Sequence, residues 1–209
     1  MISHFRAMAL TDVLTELGNR RRFEAILGEC FARSTRQGSP LSVVMVDVDE
    51  FKSYNDAFGH AAGDEVLCVI ARRLVNSSRS SDVVTRYGGE EFAIVLPDTD
   101  AAAALNHAHR QRNAIESFGW PLRAVTASFG VATRRTSIEN LAMLVDEADR
   151  ALYVSKRKGR NRVTHLEIID ADGLSTSGTP EASPRRAWVS GASRHWVPLG
   201  PGSDDLSTH

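Results

Sequence analysis

The sequence predicts an α+β fold: one central, mostly antiparallel sheet of about five strands, flanked by helices. Three features carry that expectation. Two β-prone runs, 83–85 and 93–96, are joined across a Gly-Gly turn and read as a hairpin. Short β-branched runs alternate with longer segments of helical period. The order is helix, strand, two helices, hairpin, helix, strand, helix, strand, which mixes hairpin pairing with helical crossovers.

The first helix follows DVLTELGNRRR from Asp12, with Phe23, Ile26, Leu27, Cys30 and Phe31 spaced to form one apolar face that fades near Gly38-Ser-Pro40. Residues 41–46, LSVVMV, suit a buried strand, which runs abruptly into Asp47-Val48-Asp49-Glu50-Phe51-Lys52. Carboxylates at the exit of a buried strand cost desolvation unless a cation meets them. Asp47 abuts the apolar run; Asp49 and Glu50 read as polar loop.

A short helix, a glycine-punctuated loop and a second helix follow. Asp64 is a candidate N-cap, His60 a loop histidine, and Val66, Leu67, Ile70, Ala71 and Leu74 an inner face. Arg79-Ser-Ser-Asp82 leads into the hairpin, whose turn carries Arg86-Tyr87-Gly88-Gly89-Glu90-Glu91-Phe92. The two glycines suggest positive φ angles there. Paired carboxylates on so bare a backbone leave room for a bulky ligand.

Residues 101–118 form an alanine-rich helix with Leu105, Ala108 and Ile115 inward. Residues 122–133 read as a strand with a break at Gly130. Ser137 is a candidate cap for the last long helix, striped by Ile138, Leu141, Val145, Ala148 and Leu152 and stopped at Gly159. A terminal strand runs from Val163 to about Ile169.

Domain boundaries follow from composition: a short lead-in over 1–10, one domain over 11–170, and a Ser/Gly/Pro-rich tail over 171–209 that predicts disorder. Trp188 and Trp196 are unusual in such a tail. The 209 residues, 42% hydrophobic, suffice for one domain with a proper core. A net charge of -1 gives no sign of bulk affinity for nucleic-acid polymers or membrane surfaces. Cys30 and Cys68 fall at apolar helical positions and read as buried free thiols of a reducing compartment. No apolar run approaches the roughly 18 residues of a membrane span, and the start, MISHFRAMALTD, lacks the apolar core of a signal peptide. The expected location is cytoplasmic.

If the strand ending at Asp47 neighbours the hairpin, Asp47 converges with the acids of the turn. Their repulsion is relieved by a hard divalent cation, Mg2+ with Mn2+ as a substitute. Such an ion suits a phosphorylated substrate and displacement at phosphorus.

These motifs together resemble the GGDEF-domain diguanylate cyclases, which join two GTP molecules into cyclic di-GMP and release pyrophosphate. The resemblance covers 11 to about 168. It rests on DVLTELGNRR from Asp12, DVDEFKSYND from Asp47, FGHAAGD from Phe58, the GGEEF turn, and KRKGRN from Lys156, all in the family's order. It implies a palm-like, ferredoxin-related domain. It also implies a division of labour: Asp47, the Val48 carbonyl and Glu90 hold the metal, and Glu90, Glu91 and Lys52 form the catalytic set. The nucleotide falls to Asn55, His60, Asp64, Lys52, Gly88, Gly89, Lys156 and Arg160. Asn55 and Asp64 supply acceptors for guanine, and the basic residues supply charge for the triphosphate.

Arg79 and Asp82, with Arg110 assisting, resemble the family's inhibitory site for cyclic di-GMP. The implied working unit is a homodimer with one GTP per domain, driven by an upstream sensor or receiver partner. Either the chain is a fragment or it relies on a partner to dimerise. Glu16 departs from the family pattern, standing where glycine is usual, and Glu50 is a milder change. The alternatives are a catalytically idle cyclic di-GMP receptor and another nucleotidyl-transfer enzyme on the same fold.

Overall fold

The structure, a computed structural model, describes residues 10–166. Its centre is β2 (Leu41–Val48), buried at all eight positions, so that even Asp47 is only 6% exposed. A strand reading LSVVMV without polar alternation is stable only where both faces are covered.

Among the described residues the sheet has six strands: β1 (Gly18–Asn19), β2, β3 (Val83–Arg86), β4 (Glu91–Pro97), β5 (Ala127–Thr133) and β6 (Val163–His165), in the order β1-β3-β4-β2-β5-β6. The three inner pairings are antiparallel, while β1 with β3 and β5 with β6 are parallel. The expected mostly antiparallel sheet is therefore present with one strand more than expected. The two-residue β1 is too short to leave a periodic signal.

Among the described residues five helices flank the sheet: α1 (Arg20–Gln37), α2 (Phe51–Phe58), α3 (His60–Asn76), α4 (Ala101–Glu116) and α5 (Leu141–Arg157). On one side Val44, Val46, Phe92, Ile94 and Phe129 meet Val66, Ile70 and Leu74 of α3 and Ala104, Ala108 and Ile115 of α4. On the other, Val43, Met45, Ala93 and Val95 meet Phe23 and Leu27 of α1 and Leu144, Ala148 and Leu152 of α5.

Local structure departs from the sequence reading at several points. Strand β5 runs unbroken through Gly130: a Cβ there would overlap the Ala148 carbonyl and the Leu152 amide, so the glycine lets α5 lie against the strand. Helix α5 is capped by Asn140, whose side chain accepts from the Met143 amide at 3.1 Å, and not by Ser137. Asp64 is not an N-cap either. Helix α3 begins at His60, because Gly59 alone, at φ +83°, turns the chain between α2 and α3. Cys30 and Cys68 are free but half-buried; Cys68 donates to the Leu14 carbonyl at 3.3 Å. Glu16 takes φ +60°, the left-handed conformation that costs a non-glycine residue about 1–2 kcal/mol. The expected end of β6 near Ile169, residues 1–9 of the 1–10 lead-in and the 171–209 tail lie outside the described residues.

Candidate active site

The site forms where β2 leaves the sheet. Register pairs Asp47 with Glu91 on β4 and with Ser128 on β5, and the Val48 amide donates to the Glu90 carbonyl at 3.2 Å. The strand end and the hairpin turn are thus neighbours, as the motif spacing requires. Lys156, in the last turn of α5, places Nζ 2.6 Å from Asp47 Oδ2. Burial dominates the titration of Asp47 and pushes its carboxyl up to about 6; Lys156 pulls it down, while Glu90 and Glu91 push it further up.

The expected cluster of three acids is not formed: no group of three or more His, Cys, Asp or Glu side chains able to hold a metal occurs among the described residues. The available donor set is the Asp47 carboxylate, the Val48 carbonyl and Glu90. These are hard oxygen donors of the kind Mg2+ takes, and a carboxyl held up near 6 by burial, with Glu90 and Glu91 adding to the shift, is one that added positive charge would relieve. The residues present fit a hard divalent ion.

The hairpin turn is held from three directions. Tyr87 and Gly88 amides both donate to the Glu91 carbonyl, at 2.8 and 3.1 Å. Tyr87 packs edge-on against Phe23 with the Arg20 guanidinium over its ring, and burial pushes its hydroxyl up to about 12. Arg86 donates to the Gly89 carbonyl at 2.7 and 3.1 Å and to both Asp12 oxygens at 3.1 and 3.2 Å. Neither turn glycine adopts the positive φ expected of it. Gly88 leaves room for the Glu91 carboxylate, since a Cβ there would stand 2.5 Å from Oε2 and push that side chain aside. A Cβ on Gly89 would meet nothing within 4 Å, which leaves open space beside the turn.

Helices α2 and α3 bring the polar residues of the FKSYND and FGHAAGD motifs to one corner. Asn55 Oδ1 is buried with no hydrogen-bond partner among the described residues. It lies against Gly63, where a Cβ would overlap it. Buried acceptors left without a donor are uncommon in native folds, and this one is packed against α3. Lys52, His60 and Asp64 are exposed, on the first turn of α2 and the first two turns of α3.

The KRKGRN segment turns sharply after α5. Arg160 and Asn161 are both left-handed, at φ +61° and +46°, and Arg160 Nε lies 3.0 Å from Glu50 Oε1. A cavity of about 380 Å³ opens beside this turn, lined among others by Val48, Phe51, Tyr54, Arg123 and Arg160. Asp49, expected in a solvated loop, is instead buried, because its carboxylate is surrounded by donors from Thr126, from Ser128 of β5 and from this turn.

Away from this corner, Arg79, Asp82 and Arg110 line one shallow concavity together with His107. Asp82 is turned into its own loop, accepting from the Arg79 amide at 2.8 Å and facing His107 Nδ1 at 3.8 Å. Arg110 Nη2 lies 3.3 Å from the same imidazole nitrogen.

The profile of the family described as "Diguanylate cyclase, GGDEF domain" matches residues 9–162. The chain belongs to the GGDEF family. Among curated GGDEF relatives, diguanylate cyclase A of Treponema denticola is 39% identical over 169 residues, covering 78% of this chain and 46% of the relative. The response regulator PleD of Caulobacter vibrioides is 39% identical over 168 residues, covering 78% of this chain and 37% of the relative. The chain thus spans less than half the length of these two relatives. Among solved structures, the GGDEF domain of DgcB from Caulobacter crescentus, crystallised with c-di-GMP, superposes with a TM-score of 0.73 at 36% identity, covering 76% of this chain and 96% of that one. The active GGEEF domain of a diguanylate cyclase from Vibrio cholerae gives a TM-score of 0.68 at 36% identity over 70% of this chain and 96% of that one. The palm-like GGDEF fold implied by the motifs is the fold observed.

Sequence reasoning missed four residues that shape this GGDEF site: Asp49, Gly63, Arg86 and His107. Arg86, Asp49 and Gly63 lie inside quoted motifs, so their position was visible although their partners were not. His107 lies in no quoted motif, since its importance comes from contacts between α4 and the loop that carries Asp82.

Proposed function

We propose that the chain is a diguanylate cyclase: two GTP molecules condense into cyclic di-GMP with release of two pyrophosphates. The observation that carries the proposal is the juxtaposition, at one sheet end, of Asp47, the Val48 carbonyl, Glu90 and Lys156 beside an open glycine turn. The orphan acceptor of Asn55 adds a reason for a guanine base to enter.

Asp47, the Val48 carbonyl and Glu90 would hold Mg2+, with Mn2+ as a substitute; the ion supplies charge neutralisation at the phosphates. Asn55 accepts from the guanine edge, with Asp64 as a second acceptor and His60 at the rim. Lys52, Lys156 and Arg160 neutralise the triphosphate, and Gly88 and Gly89 let the nucleotide lie against bare backbone. The 3′-hydroxyl of one GTP attacks the α-phosphorus of the other. The bond from that phosphorus to the bridging oxygen breaks and pyrophosphate leaves. Glu90 or Glu91 accepts the hydroxyl proton, and the same exchange repeats in the opposite sense. Each domain presents one GTP, so turnover requires a homodimer, assembled by an upstream sensor or receiver domain or partner. Positioning and electrostatics carry most of the rate. GTP as substrate is consistent with a cytoplasmic enzyme, and no helix among the described residues is long and apolar enough to cross a membrane.

Arg79, Asp82 and Arg110 around one concavity favour product inhibition by cyclic di-GMP. The same observation keeps one rival reading alive, a receptor that binds cyclic di-GMP without making it. The deciding experiment is product formation from GTP and Mg2+ at high protein concentration, after bound nucleotide has been stripped, followed by chromatography with mass detection. Cyclic di-GMP that disappears in Glu91→Ala supports the cyclase. Tight binding of added cyclic di-GMP, with no product even from a forced dimer, supports the receptor.

A further inference from the structure

The second acid of the DVDEFK motif has a partner set unlike that of a metal ligand. Asp49 Oδ2 accepts from the Thr126 hydroxyl at 2.7 Å and from the Asn161 amide at 3.0 Å, and Oδ1 accepts from the Ser128 hydroxyl at 2.7 Å. Its own amide donates to the Thr126 carbonyl at 2.9 Å. The residue is 8% exposed. A carboxylate buried this far needs its oxygens satisfied, and here each already accepts.

The donor from Asn161 matters most. Arg160 and Asn161 are consecutive left-handed residues, neither of them glycine. Backbone of this kind persists only where surrounding contacts fix it. The Asn161 side chain is tied to α4, accepting from Arg112 at 2.9 Å and donating to Glu116 at 2.7 Å, and Glu116 is exposed. The tie that reaches the exit of β2 is the one to Asp49. Because Asp49 lies two residues beyond Asp47, the same carboxylate fixes the turn relative to the end of β2.

We infer that Asp49 is a positioning residue: it anchors the Arg160–Asn161 turn to the exit of β2, so that Lys156 and Arg160 present their charges at a fixed distance from Asp47. This rests on the proposed role of Lys156 and Arg160 in holding a nucleoside triphosphate, and it adds the part that sets their place. A carboxylate suits the task because one oxygen must serve two donors while the other serves a third. An asparagine with its carbonyl toward Thr126 and Asn161 keeps two of the bonds, and its amide turns the Ser128 hydroxyl into an acceptor.

The test compares Asp49→Ala and Asp49→Asn with the parent chain, using the α,β-methylene analogue of GTP and GMP as probes with Mg2+, alongside amide hydrogen exchange. In Asp49→Ala, exchange at residues 159–162 is expected to speed up by at least about tenfold, and the analogue to bind at least about tenfold more weakly. GMP, which lacks the outer phosphates, is expected to change by less than about twofold, and Asp49→Asn to restore most of both losses. Unchanged exchange at 159–162 in Asp49→Ala overturns the anchor. So does an equal loss of analogue and GMP, which would mean a general structural defect. Faster exchange with both affinities unchanged leaves the anchor standing and removes the triphosphate from Lys156 and Arg160. If Asp49→Ala does not fold, Thr126→Val and Ser128→Ala remove one donor each and are read by the same exchange and affinity ratio.

Discussion

Lys156 Nζ stands 2.6 Å from Asp47 Oδ2, so the basic motif at the end of α5 closes on the carboxylate at the end of β2. The pair joins two segments more than a hundred residues apart at the point where the sheet opens. It only partly compensates the acid: burial still holds the Asp47 carboxyl near 6 against an ordinary 3.8. A folded pKa above the unfolded one means that the charged form is what folding disfavours. The contribution of Asp47 to stability is therefore fully favourable below about pH 4 and is lost as pH rises through about 6.

Replacing the charge should consequently stabilise the metal-free protein. Keeping this carboxyl ionised in the fold costs about 3 kcal/mol above pH 6. Lys156, with its side chain 37% exposed, loses little when its partner becomes neutral. Asp47→Asn measured in chelator at pH 8 is expected to melt several degrees higher than the parent, roughly 2–8 °C. The difference should shrink toward zero below pH 4, while turnover is abolished. Thermal melts across pH 4–8 read both limbs; a variant that is less stable at pH 8 would refute the desolvation account.

The clamp on the hairpin turn is a separate unit. Arg86 and Asp12 are 15% and 23% exposed at the side chain, and burial alone would raise the Asp12 carboxyl. Thr15 and Arg86 outweigh that and hold it below its usual value. A double-mutant cycle with Arg86→Ala and Asp12→Ala should give a coupling of about 1–3 kcal/mol in chemical denaturation. Arg86→Ala should also lower turnover more than Asp12→Ala, because only Arg86 reaches the Gly89 carbonyl as well. Additive losses would mean that the two residues act independently.

The motif spacing made the neighbourhood of Asp47 and the hairpin legible, because a carboxylate ending an apolar strand and a glycine turn with two acids both demand explanation. The two glycines were legible as special, but for the wrong reason. Neither has a positive φ; a Cβ on Gly88 would crowd Glu91, and Gly89 faces open space. Gly130 misled in the same way, since a strand break and a close helix approach leave the same residue in the sequence. Asp49 was unreadable locally: its donors come from Thr126, Ser128 and residue 161, and only the fold brings them together. Helix caps failed at Ser137 and Asp64 because the helices begin a few residues away from them, where Asn140 and Gly59 satisfy the turn.

The two turn glycines make distinct predictions. In Gly88→Ala the new methyl displaces the Glu91 carboxylate, the free end of a flexible side chain, so stability should fall by less than about 1 kcal/mol. Turnover should fall by at least about tenfold, as a misplaced acid at the reacting centre implies. In Gly89→Ala the methyl points into open space, and stability should stay within about 0.5 kcal/mol. If the nucleotide lies there, KM for GTP rises. Thermal melts and steady-state rates separate the cases, and an unchanged KM in Gly89→Ala would move the nucleotide away from the turn.

His107 sets the acid limit of the concavity formed with Arg79, Asp82 and Arg110. Burial pushes its imidazole below the usual 6.5, the charge of Asp82 opposes that, and Arg110 and Arg79 reinforce it. Ser78 lies 3.5 Å from Nε2, and Gln111 in turn donates to Ser78 at 3.1 Å, so the ring is enclosed by neutral groups on that side. A lowered folded pKa means that the unfolded chain takes the proton first. The stability that His107 contributes is present above 6.5 and is lost as pH falls below it. The parent protein should lose more thermal stability between pH 7 and pH 5 than His107→Gln, whose amide keeps a polar contact and cannot titrate there. Melting curves at matched ionic strength measure the difference, and parallel slopes for the two proteins would take His107 out of the acid response.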